Sequence, residues 1–267
     1  MKSRDKVILA SIDITLSGLE IGPSHNPVAP KKKGFKVKTL DHMNAEELRN
    51  KYRHHNVNID AIEEVDFIWS GEPLSQLVGE ERFSWIIASH VIEHVPDFIA
   101  FLHECEILLD GKGSLSLAVP DKRYCFDHFR ERTSLAQIID VNREKRIRPS
   151  VGGAADYFLH VITKGKLIAF DSRHKGKFEF MHNFSETKAA MESISEGNYL
   201  DLHNWVFTPS SFRILIEDLF LLGFTTLREK SFSDTSGCEF YITLQQNASG
   251  PKLSRMELMM MKEKEYS

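Results

Sequence analysis

The sequence predicts an α/β fold: one seven-stranded, mostly parallel sheet, interrupted after its fifth strand by a mainly helical insertion. Three observations predict it. Over the first 121 residues short apolar runs alternate with amphipathic segments, the rhythm of βαβ units. The rhythm stops at 122 and resumes at 207, where a helical pattern precedes two more strand-like runs. The run 83–88, Phe-Ser-Trp-Ile-Ile-Ala, is almost continuously apolar, as a strand buried on both faces must be.

Composition bounds the rest. The 267 residues are 42% hydrophobic and 27% charged, ordinary for a soluble protein whose length can bury one large core or a core with an insertion. The net charge of -4 supplies no global basic field for nucleic acid or anionic lipid, although Lys31–Lys33 and 143–148 are locally basic. Cys105, Cys125 and Cys238 are widely spaced and show no metal-ligand pattern, which fits a reducing compartment. No apolar run reaches the roughly 18 residues that span a bilayer. Lys2, Arg4 and Lys6 precede a short apolar run, but Asp5 and Asp13 interrupt it, so a signal peptide is not expected and the reading is cytoplasmic.

In order, residues 1–16 read as a helix with Val7, Ile8, Ile12 and Leu16 on one face. Residues 18–22 form the first strand. The alternating run 35–40 is the second, ending at Asp41, and 45–52 is a helix capped by Asn44. Residues 65–69 are the third strand, closed by Ser70, Gly71, Glu72 and Pro73, and 83–88 are the fourth. A helix over 96–109 has Pro96 in its first turn and Gly111 past its end. Residues 114–119 are the fifth strand. The insertion, 122–206, is rich in aromatic, His and Arg residues. A helix over 208–222 opens at Thr208 and Pro209, and 224–229 and 240–244 form a closing hairpin. The tail carries Met256 and 259–261 and reads as a surface helix or partly disordered. The expected division is core 1–121, insertion 122–206, core completion 207–247 and tail 248–267.

The stretch Ser17-Gly-Leu-Glu-Ile-Gly-Pro-Ser-His-Asn-Pro27 ends the first strand in a turn at Gly22. Asp41, 19 residues later, is placed to accept hydrogen bonds from a ribose, whether of NAD or of another nucleoside. Pro23 and Pro27 remove donors that a pyrophosphate would use.

Glu-x-Gly-x-Ser-x-Asn resembles the first motif of class I S-adenosylmethionine (SAM) methyltransferases, (Glu/Asp)-x-Gly-x-Gly-x-Gly, with Ser24 and Asn26 in place of two glycines. Ala88-Ser-His-Val-Ile-Glu-His-Val-Pro-Asp97 resembles that family's fourth-strand motif. The resemblance covers roughly 15–121 and 208–244. It implies a Rossmann-like sheet with an antiparallel last strand, SAM as cofactor and S-adenosylhomocysteine as product. It implies Glu20, Gly22, Pro23, Ser24 and Asn26 around the cofactor, and Asp41 and His42 at its ribose. Gly71 and Glu72 would lie near the adenine, and Ser89 and His90 beside the methionine. A phosphate-free cofactor tolerates the prolines. The sequence Pro-Asp-Lys-Arg-Tyr…Phe-Asp-His also looks like methyltransferases of bacterial surface-polysaccharide assembly, which implies a sugar or glycan-linked hydroxyl as acceptor.

Transfer to a hydroxyl needs alignment and a proton acceptor, and imidazole is suited to the latter. The candidates are His94 first, then His128 and His203 from the insertion, with Asp121 or Asp127 to orient acceptor or base. His90 and His94 lack the His-Glu-x-x-His order, so no metal site is read. Alternatives are a small-metabolite N- or O-methyltransferase, a non-catalytic SAM-binding module whose insertion serves protein interaction, and an NAD oxidoreductase. The acceptor is expected to be a small molecule or glycan, with no nucleic acid and no membrane span.

Overall fold

The computed structural model describes residues 2–265. Helix α1 (Ser3–Leu9) leads into β1 (Gly18–Ile21), β2 (Val37–Asp41), α2 (Ala45–Tyr52), β3 (Phe67–Ile68), α3 (Leu74–Val78), β4 (Phe83–Ser89), α4 (Phe98–Leu108) and β5 (Leu109–Pro120). The insertion holds α5 (Leu135–Glu144), α6 (Val151–His160), β6 (Ile162–Lys164), β7 (Phe178–Phe180) and α7 (Phe184–Ser195). Then follow α8 (Pro209–Leu221), β8 (Leu227–Ser236), β9 (Glu239–Gln246) and α9 (Arg255–Lys264).

Seven strands pair in the order β3-β2-β1-β4-β5-β9-β8. β9 runs antiparallel to both neighbours and the other pairs are parallel. The order reverses between β1 and β4. In an open sheet of this kind the crevice outside the carboxyl ends of the strands at that reversal is where ligands bind.

β4 shows why this sheet is buried. Ile86 and Ala88 face a core built with Leu19, Ile21, Phe98 and Phe212. Trp85 and Ile87 face the other way, against Ile8, Leu9, Val28 and Ala29. Thus α3, α4, α5 and α8 contribute to the first core, while α1 and the loop after β1 cover the second. The insertion shares the first core through Ile138, Val141, Trp205 and Phe207.

Several boundaries differ from the sequence reading. The first helix stops at Leu9 and Leu16 is 46% exposed, because the chain turns at residues 10–17 to enter β1. The third strand is two residues long and is followed by the unexpected short helix α3. The insertion adds an antiparallel β6–β7 pair to its three helices. The Met-rich tail forms α9, whose Leu258 is buried and whose following residue, Glu265, accepts hydrogen bonds from the Ser210 amide and hydroxyl. Among the described residues no helix is long and apolar enough to cross a membrane.

Candidate functional site

β1 ends at the sheet reversal in the Gly22 turn. Gly22 has φ 66° and donates its amide to the Leu40 carbonyl at 2.7 Å. A Cβ here would lie 2.9 Å from a Val91 methyl group, so both conformation and space require glycine. Ser24 also lies in the left-handed region, and its amide donates to Asp41 Oδ2 at 2.9 Å. The other oxygen of Asp41 accepts from the His42 amide (2.8 Å) and faces its ring Nδ1 at 2.6 Å. The end of β2 is thereby tied to the turn that follows β1. Pro23, Ser24 and Asp41 line a small cleft with Pro27, Leu48 and Val65. Asn26 points elsewhere and accepts from Lys2 Nζ. No helix follows the turn: residues 22–36 are loop apart from the three-residue 3-10 segment Lys31–Lys33.

Glu20 does not face this cleft. Its two oxygens accept from the amides of Val28 (2.7 Å) and Ala29 (3.0 Å), and the side chain is buried. It braces the loop instead of meeting a cofactor's charge, which corrects the role implied by the motif. Burial pushes its pKa up to about 7, against the two amide donors that favour the charged form. Gly71 (φ 108°) and Glu72 form the turn after β3, where Glu72 accepts from the Ser70 amide and Trp69 Nε1 donates to the Glu72 carbonyl.

At the end of β4 the Ser89 hydroxyl accepts from Arg4 of α1. His90 adopts φ 55° and its Nε2 pairs with Glu239 at 2.7 Å. Glu239 also accepts from Arg4 (3.0 Å) and from the Tyr241 hydroxyl (3.0 Å). Burial alone would raise the Glu239 pKa, but the hydrogen bonds and charges of His90 and Arg4 hold it down at about 2. Sequence reasoning missed Arg4 and Glu239. Neither lies in a motif, and only the fold brings Arg4 of α1 and Glu239 of β9 to the end of β4.

The next residues carry the densest chemistry. One ligand atom each of Glu93, His94 and His203 lies within 4.8 Å of the other two. The His94 and His203 rings meet edge to face, with centroids 4.6 Å apart. His94 Nδ1 pairs with Asp201 Oδ1 at 2.8 Å, and His203 Nδ1 with Asp127 Oδ2 at 2.5 Å. Asp127 is clamped further by Arg130, which also donates to the His203 carbonyl and binds Asp156. Burial would raise the Asp127 pKa, yet His203 and Arg130 pull it down to about 2. For His94 burial lowers the pKa, but the bond to Asp201 and the charge of Glu93 outweigh it and raise the value above the ordinary one. Phe126 packs on the His203 ring at 4.5 Å, and Tyr157 stands beyond it at 6.5 Å.

The fold thus gathers His94, His203 and Asp127 from the expected residues and adds Glu93 and Asp201. It separates others. Asp121 is fully buried and accepts from the Arg123 amide and guanidinium and from the Thr235 hydroxyl, so its lone pairs serve the β5–β8 junction instead of an acceptor. His128 donates Nδ1 to the Arg123 carbonyl and stacks on Phe178 at 4.9 Å, and burial lowers its pKa. It serves the β6–β7 side of the insertion. The sequence reading of no metal site weighed His90 with His94, and the fold does not bring that pair together as ligands. His90 turns to Glu239, and the partners of His94 are its neighbour Glu93 and the distant His203.

No protein-family model matches this chain, and no curated protein matches it. Solved structures do. The CcbJ methyltransferase from Streptomyces caelestis is similar over 91% of this chain and 93% of its own, at 11% identity and a TM-score of 0.48. A candidate zinc-dependent alcohol dehydrogenase from Rhodobacter sphaeroides is similar over 92% and 91%, at 13% identity and 0.47. DhpI, in complex with S-adenosylhomocysteine, is similar over 88% and 78%, at 15% identity and 0.41. The fold of this chain rests on its own strand order and register: a seven-stranded, mostly parallel α/β sheet whose order reverses between β1 and β4.

Proposed function

We propose that the chain is a SAM-dependent methyltransferase acting on a hydroxyl of a polar small-molecule acceptor, with sugars and glycan-linked hydroxyls the first class to test. The observation that carries this reading is the Gly22 turn. It closes against the Asp41 carboxylate at the sheet reversal and is followed by no helix. A dinucleotide needs a helix N-terminus or a row of amides for its pyrophosphate. Here the helix is missing, and Pro23 and Pro27 offer no amide protons. A nucleoside cofactor without phosphates asks for less: an acceptor for its ribose hydroxyls, supplied by Asp41, and apolar walls, supplied by Pro23, Leu48 and Val65.

The acceptor side of this reading is the Glu93–His94–His203 cluster, covered by Phe126 and Tyr157 of the insertion. An aromatic and imidazole lining beside buried carboxylates suits a hydroxylated ring. Methyl transfer is an in-line displacement, so holding the acceptor oxygen against the methyl group supplies much of the rate.

Transfer of labelled methyl from SAM to a panel of nucleotide sugars, oligosaccharides and small phenols tests the reaction, and calorimetry with SAM and S-adenosylhomocysteine tests the site. Asp41→Asn should weaken both ligands roughly 10- to 100-fold, the loss expected for hydrogen bonds to a charged acceptor. Tight NADH binding with no SAM binding would overturn the reading. Binding of both sulfur ligands with no turnover on any acceptor would leave a non-catalytic SAM-binding module.

A further inference from the structure

Glu93 is wholly buried, and neither of its carboxylate oxygens has a hydrogen-bond partner among the described residues. A buried carboxylate without partners is strongly disfavoured unless a positive charge sits against it. The basic side-chain nitrogens within 4 Å are His90 Nδ1 at 3.6 Å and His203 Nε2 at 3.9 Å from Oε1, too far for hydrogen bonds. His90 already gives its other nitrogen to Glu239.

The two histidines of the cluster are prepared in the same way. Each directs Nδ1 at a carboxylate, His94 at Asp201 and His203 at Asp127. A carboxylate can only accept, so each Nδ1 is the donor and Nε2 is the ring nitrogen left for another partner. Such carboxylate–histidine pairs orient histidines that bind metals and raise their basicity. The backbone holds the ligands in register. The amides of Asn204 and Trp205 both donate to the Glu93 carbonyl, Asn204 Nδ2 to the His94 carbonyl and Trp205 Nε1 to the Val95 carbonyl. Segments 93–95 and 203–205 therefore form one rigid unit.

We propose that Glu93, His94 and His203 form a divalent transition-metal site, with Asp201 and Asp127 orienting its histidines. Two imidazoles and one carboxylate suit zinc, manganese, iron(II) or cobalt, and three protein ligands leave open coordination positions. Resting on the methyltransferase reading above, the metal's open position takes the acceptor hydroxyl oxygen and lowers its pKa. The hydroxyl proton leaves to solvent. The oxygen lone pair then forms the bond to the methyl carbon as the carbon–sulfur bond breaks, and that electron pair stays on sulfur, giving methyl ether, S-adenosylhomocysteine and one proton.

The test is cobalt(II) titration of chelator-treated full-length protein, followed by calorimetry and by the visible absorption of protein-bound cobalt, with SAM binding measured in parallel. One equivalent per chain should bind with a raised melting temperature. Glu93→Gln and His203→Gln should abolish uptake, and Asp201→Asn, at the exposed edge, should weaken it about 10- to 100-fold. Saturable SAM binding without saturable cobalt uptake overturns the metal site and leaves the methyltransferase reading standing. Stoichiometric cobalt uptake without SAM binding keeps the site and overturns the role given to it. Should Glu93→Gln misfold, unchanged uptake in Asp201→Asn and Asp127→Asn together would equally count against the assignment.

Discussion

Glu20 occupies the acidic position of the first motif, yet its carboxylate holds the amides of Val28 and Ala29 inside the protein. Its pKa rises from about 4.5 in the unfolded chain to about 7 in the folded one. The folded state therefore binds the proton more tightly. That contribution is fully present below the unfolded value, shrinks as pH rises from 4.5 and is gone above 7, a total of roughly 3 kcal/mol. Urea unfolding of wild type and Glu20→Gln from pH 4.5 to 8 should show the wild type losing stability relative to the variant. Gln loses one acceptor, but that offset does not depend on pH. Parallel curves would refute the assignment. Gly18 makes a different residue-scale demand. A Cβ there would come 2.1 Å from the Trp85 indole, which is fully buried against β1. Gly18→Ala should cost about 1–3 kcal/mol by overpacking, read as a lowered denaturation midpoint.

Two elements meet at the candidate site without belonging to any motif. Helix α1 sends Arg4 to Ser89 and Glu239, so a short N-terminal helix closes the end of β4. The segment after α7 returns to the sheet at 203–207, where the Trp205 indole, buried in the main core, donates to the Val95 carbonyl. This segment places His203. Trp205→Ala should cost about 3–5 kcal/mol through the lost packing and cavity. It should also weaken cation uptake by the Glu93–His94–His203 cluster, whereas a purely structural tryptophan would change the melting temperature alone.

At the scale of the whole molecule, core and insertion share their interior. Ile138 and Val141 of the insertion lie in the same cluster as Leu19 and Phe98 of the sheet. The Thr133 amide donates to the Val206 carbonyl, and the Lys122 amide to that of Phe207. Thermal unfolding followed by far-ultraviolet and near-ultraviolet circular dichroism should give coincident transitions. Two separated transitions would mean that the insertion folds as an independent unit.

The elements of this protein are local decisions. Period-2 and continuous apolar runs placed β1, β2, β4 and β5 within a few residues, and Asn44 and Pro209 marked helix starts through capping and backbone rules that act over one turn, whereas Gly111 lies inside β5 and caps nothing. The Gly22–Asp41 spacing was legible because both residues lie at the ends of two consecutive, directly paired strands. The weak points were those where a neighbour in space sets the outcome. Phe67–Ile68 pairs with β2 at only two positions, and beyond Leu9 the chain leaves the helix although Ile12 still packs on the second core. Site chemistry followed the same line. Sequence alone determined which side chains could titrate or bind: His94, His203, Asp127. Tertiary structure decided what they face. Glu93 looks like an ordinary acid in the segment between β4 and α4, and only the return of 203–205 against 93–95 leaves it buried and unpartnered beside two histidines. Contacts between residues so far apart in the chain are set by how the sheet and insertion close on each other, and no local pattern encodes them.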